Sequence, residues 1–288
     1  MKWLLIFSTI VVVILVIALW LLQPMTINLA YYLWWRTTAA ATEGNIVSRE
    51  ANIHYVTYGS GLPILLLHGG LSHRLIWFSQ VPWLVNSGRQ VILLDTRGHG
   101  ESELGDSELS YRLLAADTIQ VLNQLGIQKT DIIGWSDGAN TAMLLALDWP
   151  QRVQRIIAVS GNSDPSGLTL AAQVDGQVRS SGLTHWFYRW WTGAGDRLDQ
   201  LETRIRKLWQ TSPQLKSVDL RKIDTPVLVI VGEHDLITLD HAEQMARSLP
   251  KGQLSIIPDG GHMTIFTRAP EVNRLIGNFL DISTYQHK

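Results

Sequence analysis

The stretch TDIIGWSDGAN, Thr130 to Asn140, decides how the chain is read. Its first half is a short apolar-rich run. Its second half sets Ser136 between Gly134 and Gly138, in the spacing G-x-S-x-G. At the end of a predicted strand and the start of a predicted helix, that spacing describes a tight turn holding the serine in a strained backbone conformation. The turn brings the backbone on either side so close that a side chain larger than hydrogen would clash. The helix N-terminus then aims free N–H groups at the hydroxyl. The competing reading is an ordinary turn serine that caps a helix, and the flanking strand and helix patterns argue against it. Asp137 complicates the picture, because it puts a negative charge where a developing oxyanion would least tolerate one.

Working outward, short apolar runs recur at 63–68, 90–95, 130–135, 155–161, 226–232 and 254–259. Such β-branched and Leu runs suit strands buried on both faces, as in a parallel sheet. Helical stretches at 110–126, 141–150, 239–250 and 269–280 lie between or after them. Residues 45–59 alternate polar and apolar and read as an antiparallel hairpin. The alternation predicts an α/β fold, a mostly parallel central sheet flanked by helices. One connection breaks the rhythm: no strand run lies between Asp164 and Thr225, a stretch too long for an ordinary loop. It reads as a helical cap insertion over 165–219, between core segments 44–164 and 220–288. Trp186, Trp190, Trp191 and Trp209 are available there to face an apolar cleft, or to hold a small helical subdomain together, with Trp186 and Trp190 taken as substrate-binding candidates.

The chain has 288 residues, 46% hydrophobic and 17% charged, with a net charge of -1. This is enough apolar material for a sizeable core, and no basic run points to nucleic acid. There is no cysteine, which excludes disulfides, thiolate catalysis and Cys-ligated zinc. The histidines show no HExxH-like pairing, so neither a metal nor a cofactor is expected. Residues 1–43 are a different material. WLLIFSTIVVVILVIALWLL, Trp3 to Leu22, has only Ser8 and Thr9 polar and would span roughly 30 Å as a helix, a bilayer's hydrocarbon thickness. Trp3 and Trp20 sit near its ends, where indoles prefer the interface. A cleaved signal peptide is the alternative, but the apolar run is longer than its usual hydrophobic region. The expectation is a single-pass membrane anchor, followed by LAYYLWWR (Leu29 to Arg36) lying along the headgroups. Lys2 on one side and Arg36 on the other favour a cytoplasmic N-terminus and an extracytoplasmic domain.

A serine nucleophile needs a base, and the base an orienting carboxylate. His262, on the Gly-rich loop PDGGHM after the last strand run, fits better than His68, His99 or His241. Asp235, just after the run VIVGEH, is the carboxylate candidate, ahead of Glu233 and Asp164. All three groups follow parallel-strand runs, and ligands of open α/β sheets gather at that edge. HGG at 68–70, directly after a strand, supplies an oxyanion donor from the N–H of Gly70 or Leu71, with the N–H of Asp137 as the second.

HGG at 68–70, DTRGHGES at 95–102, GWSDG at 134–138, GEHD at 232–235 and GH at 261–262 together resemble the α/β-hydrolase superfamily, over roughly residues 45 to 280. The resemblance implies the α/β-hydrolase fold and a Ser136–His262–Asp235 triad acting on a small-molecule ester with small or medium acyl groups, or on an amide or carbon–carbon bond, which the same triad can cleave. The alternative is a non-catalytic relative that binds a ligand or partner at the membrane. The SDG form of the elbow is similar to the branch that includes valacyclovir hydrolase and biphenyl-hydrolase-like serine hydrolases. There an acidic pocket group is associated with recognising a substrate amino group, which makes the Asp137 side chain a substrate-binding candidate. Otherwise it sits in the first helical turn, favoured by the macrodipole by a few tenths to about 1 kcal/mol.

Overall fold

The computed structural model describes Thr9, residues 11–16, Ala18, residues 23–175 and residues 180–282. Eight strands form one sheet: β1 (Ala41–Ser48), β2 (Ala51–Tyr58), β3 (Leu62–Leu67), β4 (Arg89–Leu94), β5 (Thr130–Trp135), β6 (Val153–Val159), β7 (Val227–His234) and β8 (Gly252–Gly261). Their spatial order is β1-β2-β4-β3-β5-β6-β7-β8. The β1–β2 hairpin pairs antiparallel and β2 joins β4 antiparallel, while β3 to β8 all run parallel. The fold is therefore α/β with a mostly parallel sheet flanked by helices.

The strand runs lack polar–apolar alternation because both faces of the sheet are covered. On β3, Leu65 and Leu67 pack into one layer and Ile64 and Leu66 into the other. The first layer carries α3 (Tyr111–Gln124), α4 (Asp137–Asp148) and α9 (Leu239–Ser248). The second carries α1 (Gln23–Thr38), α2 (Val81–Asn86), α10 (Thr264–Thr267) and α11 (Ala269–Leu280). Local chemistry starts these helices where they must start. Ser110 Oγ accepts from Leu113 N–H at 3.1 Å ahead of α3, and Thr238 Oγ1 caps α9 through the N–H of His241. Between β6 and β7 lie α5 (Leu170–Asp175), α6 (Gly182–Trp191), α7 (Leu198–Thr211) and α8 (Ser217–Leu220).

The N-terminal expectation falls on two kinds of residue. Most of the apolar run 3–22 lies outside the described residues. Among the described residues, no helix is long and apolar enough to cross a membrane. The aromatic segment that follows belongs to α1. Its residues alternate by helical face: Tyr32 and Trp35, one turn apart, are buried against the second layer, with Trp35 on Tyr58 at 5.2 Å between ring centres. Tyr31 and Trp34 point the other way and are exposed. Helix α1, placed by sequence with the anchor and linker segment 1–43, thus packs on the second layer through Tyr32 and Trp35.

Strand order creates the site. β3 has β4 on one side and β5 on the other, so the winding direction reverses there, and the carboxyl ends of β3 and β5 form the switch point at which ligands of such sheets gather. The segment after β4 frames it through a fully buried guanidinium. Arg97 gives two hydrogen bonds to Asp117 on α3, at 2.8 Å each, and others to Glu50 and the carbonyl of Ser48 in the hairpin. Removing one partner of such a pair strands a charge in the interior. Asp117→Ala is therefore expected to lower unfolding stability by about 3–5 kcal/mol in urea titration. Glu50→Ala, at a side chain 35% exposed, should cost clearly less than Asp117→Ala in the same titration.

Candidate active site

Ser136 ends β5 at φ 54° and ψ -119°, a conformation that L-residues rarely adopt. The flanking glycines explain how it is held. A Cβ on Gly138 would lie 1.9 Å from the carbonyl oxygen of Leu67, and one on Gly134 would lie 2.3 Å from that of Gly138. Strand, turn and helix are therefore pressed onto the end of β3 at van der Waals limits, and the serine hydroxyl projects from the corner.

His262 meets that hydroxyl. Its Nε2 lies 3.1 Å from Ser136 Oγ and its Nδ1 lies 2.7 Å from Asp235 Oδ1. The loop carrying His262 is fixed from the elbow itself, because Trp135 Nε1 donates to the His262 carbonyl at 2.8 Å. Asp235 is held by three donors besides the imidazole: Ser160 Oγ at 2.6 Å and the N–H groups of Gly232 and Ile237, both at 3.2 Å. Burial alone would raise its pKa, but hydrogen bonds from His262 and Ser160 outweigh that and hold it below the usual carboxylate value. The rival acids serve elsewhere. Asp164 caps the turn at 165–167 and Glu233 accepts from the Asp259 N–H at the surface. Ser160, at φ 53° at the end of β6, could not be read from sequence.

The loop after β3 separates the two oxyanion candidates. The N–H of Leu71 donates to His99 Nε2 at 3.0 Å and is spent within the protein. Gly70 N–H makes no such bond among the described residues, nor does Asp137 N–H. Gly70 thus lies against Asp137, the residue after Ser136, and the N–H groups of both have no protein partner among the described residues, whereas that of Leu71 is taken. The histidines of this region anchor the loop. His68 Nε2 accepts from Thr96 N–H at 3.0 Å, leaving its Nδ1–H for the carbonyl of Gly69 at 2.7 Å. His99 accepts from Leu71 on one nitrogen and faces the carbonyl of Arg97 with the other, at 3.1 Å. Both rings must be neutral to accept these bonds, and burial pushes His68 down to about 4 and His99 down to about 3.

The Asp137 side chain does something that neither sequence reading anticipated. It is 5% exposed, and its carboxylate accepts from Tyr111 Oη at 2.8 Å and from Trp209 Nε1 at 2.9 and 3.0 Å. Burial raises its pKa, an effect that the bonds from Trp209 and Tyr111 partly offset. It fills the place that a side chain on Gly70 would need, since a Cβ there would lie 2.3 Å from Asp137 Oδ2. Trp209, on α7, is therefore the tryptophan of the helical insertion that reaches the site. Trp186 and Trp190, the substrate-binding candidates, lie on α6 with 65% and 68% of their surface open to solvent, so they do not wall a cleft here. Two groups of His and carboxylate side chains come within ligand distance of one another among the described residues. In His54–Asp95–Glu101, the Arg74 guanidinium already bridges the two carboxylates. Glu233–His234–Asp259 is wholly exposed.

The buried neutral histidines have a measurable consequence. The unfolded chain protonates these rings below about pH 6.5, whereas the folded chain resists until about pH 4 and about pH 3. Their stability contribution is complete above pH 6.5 and is lost as pH falls through that window. Acidification to pH 4 should thus cost on the order of 3 kcal/mol per ring. Burial pushes His73 down to about 4 as well, so a thermal-melt series should show this decline, and His99→Gln should make it shallower without abolishing it.

Comparison with known proteins agrees with the fold. A family model described as alpha/beta hydrolase fold matches residues 63–189. A 2-hydroxymuconate semialdehyde hydrolase of Pseudomonas putida is 31% identical over 262 residues, covering 80% of this chain and 90% of that protein. A Synechocystis sp. protein that carries the provisional name of non-heme chloroperoxidase is 29% identical over 83% of this chain and 98% of its own length. Among solved structures, a meta-cleavage product hydrolase of Pseudomonas fluorescens superposes with a TM-score of 0.74 at 19% identity, covering 83% of this chain and 97% of that one. The chain belongs to the alpha/beta-hydrolase family, and it is a hydrolase.

Proposed function

We propose that the protein is a serine hydrolase whose nucleophile is Ser136, acting on carboxylic esters with small or medium acyl groups. The observation that carries this reading is the hydrogen-bonded series Asp235–His262–Ser136, with the serine at a positive φ on a strand-to-helix corner. Ser136 Oγ attacks the ester carbonyl carbon while His262 Nε2 takes its proton. Asp235 holds the Nδ1–H and stabilises the imidazolium that forms. The N–H groups of Gly70 and Asp137 receive the tetrahedral oxyanion. The alkoxide leaves with the proton from Nε2, and an acyl ester on Ser136 remains. Water then gives its proton to His262 as it attacks, and the carboxylic acid is released.

The helical segment 165–219 serves in this reading as a cap, with Trp209 its contact to the elbow. Residues 3–22 serve as a membrane anchor with the hydrolase outside the cytoplasm, a reading supported by their apolar composition and length. The named activity of the Pseudomonas putida relative makes carbon–carbon bond hydrolysis the second reading, since the same triad can act on either bond.

A fluorophosphonate should label the wild-type protein and not Ser136→Ala. Hydrolysis of p-nitrophenyl esters should fall about 10^4-fold or more in that variant. Turnover persisting in Ser136→Ala would remove the assignment. Parallel assays on p-nitrophenyl butyrate and 2-hydroxymuconate semialdehyde separate the two bond types. Because Tyr111 and Trp209 already engage the Asp137 carboxylate, Asp137→Asn should change the preference for α-amino over neutral esters by less than about threefold, which corresponds to under 1 kcal/mol. A larger change would return Asp137 to the role of amino-group receptor.

A further inference from the structure

Helix α6 is amphipathic in the wrong sense for a helix that only covers a core. Its half-buried residues, His185, Tyr188 and Trp191, lie three apart and face the protein. Its outward stripe is the apolar one: Leu183 is 85% exposed, Trp186 65%, Phe187 44% and Trp190 68%, at the i, i+3, i+4, i+7 positions of one face. A monomer in water seldom keeps so large a contiguous apolar stripe unless something covers it.

The neighbourhood of this stripe indicates the cover. At the end of α6, Trp191 meets His73 edge to face, with 4.9 Å between ring centres. The turn that begins there, 74–79, is also the seat of α1: Asn28 Nδ2 donates to Ser79 Oγ at 3.4 Å, and Tyr32 and Trp35 share a core cluster with Ile76 and Trp77. Helix α1 carries a matching exposed stripe, Ile27, Tyr31 and Trp34, at i, i+4 and i+7. The two helices that carry these outward stripes therefore both pack, through their inward faces, on the segment 73–79, and α1 begins at Gln23, directly after the twenty-residue apolar run 3–22. Indole rings at both stripes suit the boundary between headgroups and acyl chains, where an amphipathic helix lies in the plane of the membrane.

We propose that the stripe Leu183, Trp186, Phe187 and Trp190 docks on the surface of the bilayer that residues 3–22 enter, so that the helical cap faces lipid. The proposal rests on the anchor reading above. It makes the enzyme one that draws esters from the bilayer rather than from bulk water.

The absence of cysteine lets a single label be placed without background. The full chain would be reconstituted into vesicles of phosphatidylcholine and phosphatidylglycerol. Trp186→Cys would carry a bimane fluorophore, with Val218→Cys, 50% exposed on α8, as the reference. Brominated lipids are expected to quench the label at 186 at least twofold more than the label at 218. Trp186→Asp/Trp190→Asp should hydrolyse p-nitrophenyl acetate within twofold of wild type, but a long-chain ester held in vesicles about tenfold more slowly. An unquenched label on protein that stays with the vesicles through an alkaline wash overturns the docking and leaves the anchor standing. Protein that washes off the vesicles overturns both. A label that shifts to the blue without bromolipid quenching, on protein that sizes as a dimer, assigns the stripe to a second copy and overturns the lipid surface.

Discussion

The whole site depends on one close approach, that of Gly138 to the carbonyl of Leu67. Because no Cβ intervenes, the first turn of α4 can settle onto the end of β3, and the two loops that follow these strands become neighbours. The elbow and the Gly69–Gly70 loop face each other across that junction. Everything the chemistry needs is then within reach of a single corner: a hydroxyl on one loop, two backbone donors, and an imidazole from the end of β8. The positive φ of Ser136 is the local cost of this arrangement, and the packed sheet on both faces is what sustains it.

A second constraint acts at longer range. The parts of the site come from the ends of β3, β5, β6, β7 and β8, and they are joined by polar contacts rather than by packing alone. Ser160 fixes Asp235, Trp135 fixes the loop of His262, and His99 fixes the loop of Gly70. Each contact ties one strand end to another. The result is a set of reacting groups held by rigid elements, which is the condition under which oriented dipoles lower a barrier without reorganising.

Much of this was legible in the sequence, for physical reasons that differ from residue to residue. Buried parallel strands leave continuous apolar runs, so β3 to β8 were visible, and the glycines beside Ser136 mark a steric demand that only glycine meets. The chain order of Ser136, Asp235 and His262 followed from the rule that sites gather at strand ends. What could not be read was which donor faces which acceptor. HGG offers the N–H groups of Gly70 and Leu71 alike, and only the position of His99 separates them. Tyr111 and Ser160 lie 25 and 24 positions from Ser136, in segments whose local pattern says helix or strand and nothing of the site, while Trp209 stood among four tryptophans of the insertion that spacing alone did not rank. The exposed tryptophans of α6 show the converse. Aromatic density in the insertion marked an apolar surface, but one-dimensional spacing did not say whether it faced inward or outward.

The buried Asp137 carboxylate gives the hydrolase core and its helical insertion a shared stake in one residue. Tyr111 belongs to the core and Trp209 to the insertion, and both spend their donors on the same two oxygens. The insertion is therefore not a modular accessory that could be exchanged freely between relatives to alter substrate range. A transplanted segment without an indole at the position of Trp209 would leave the Asp137 carboxylate without one of its two side-chain donors, next to Ser136. A change of helical insertion is thereby physically coupled to the identity of the residue after Ser136.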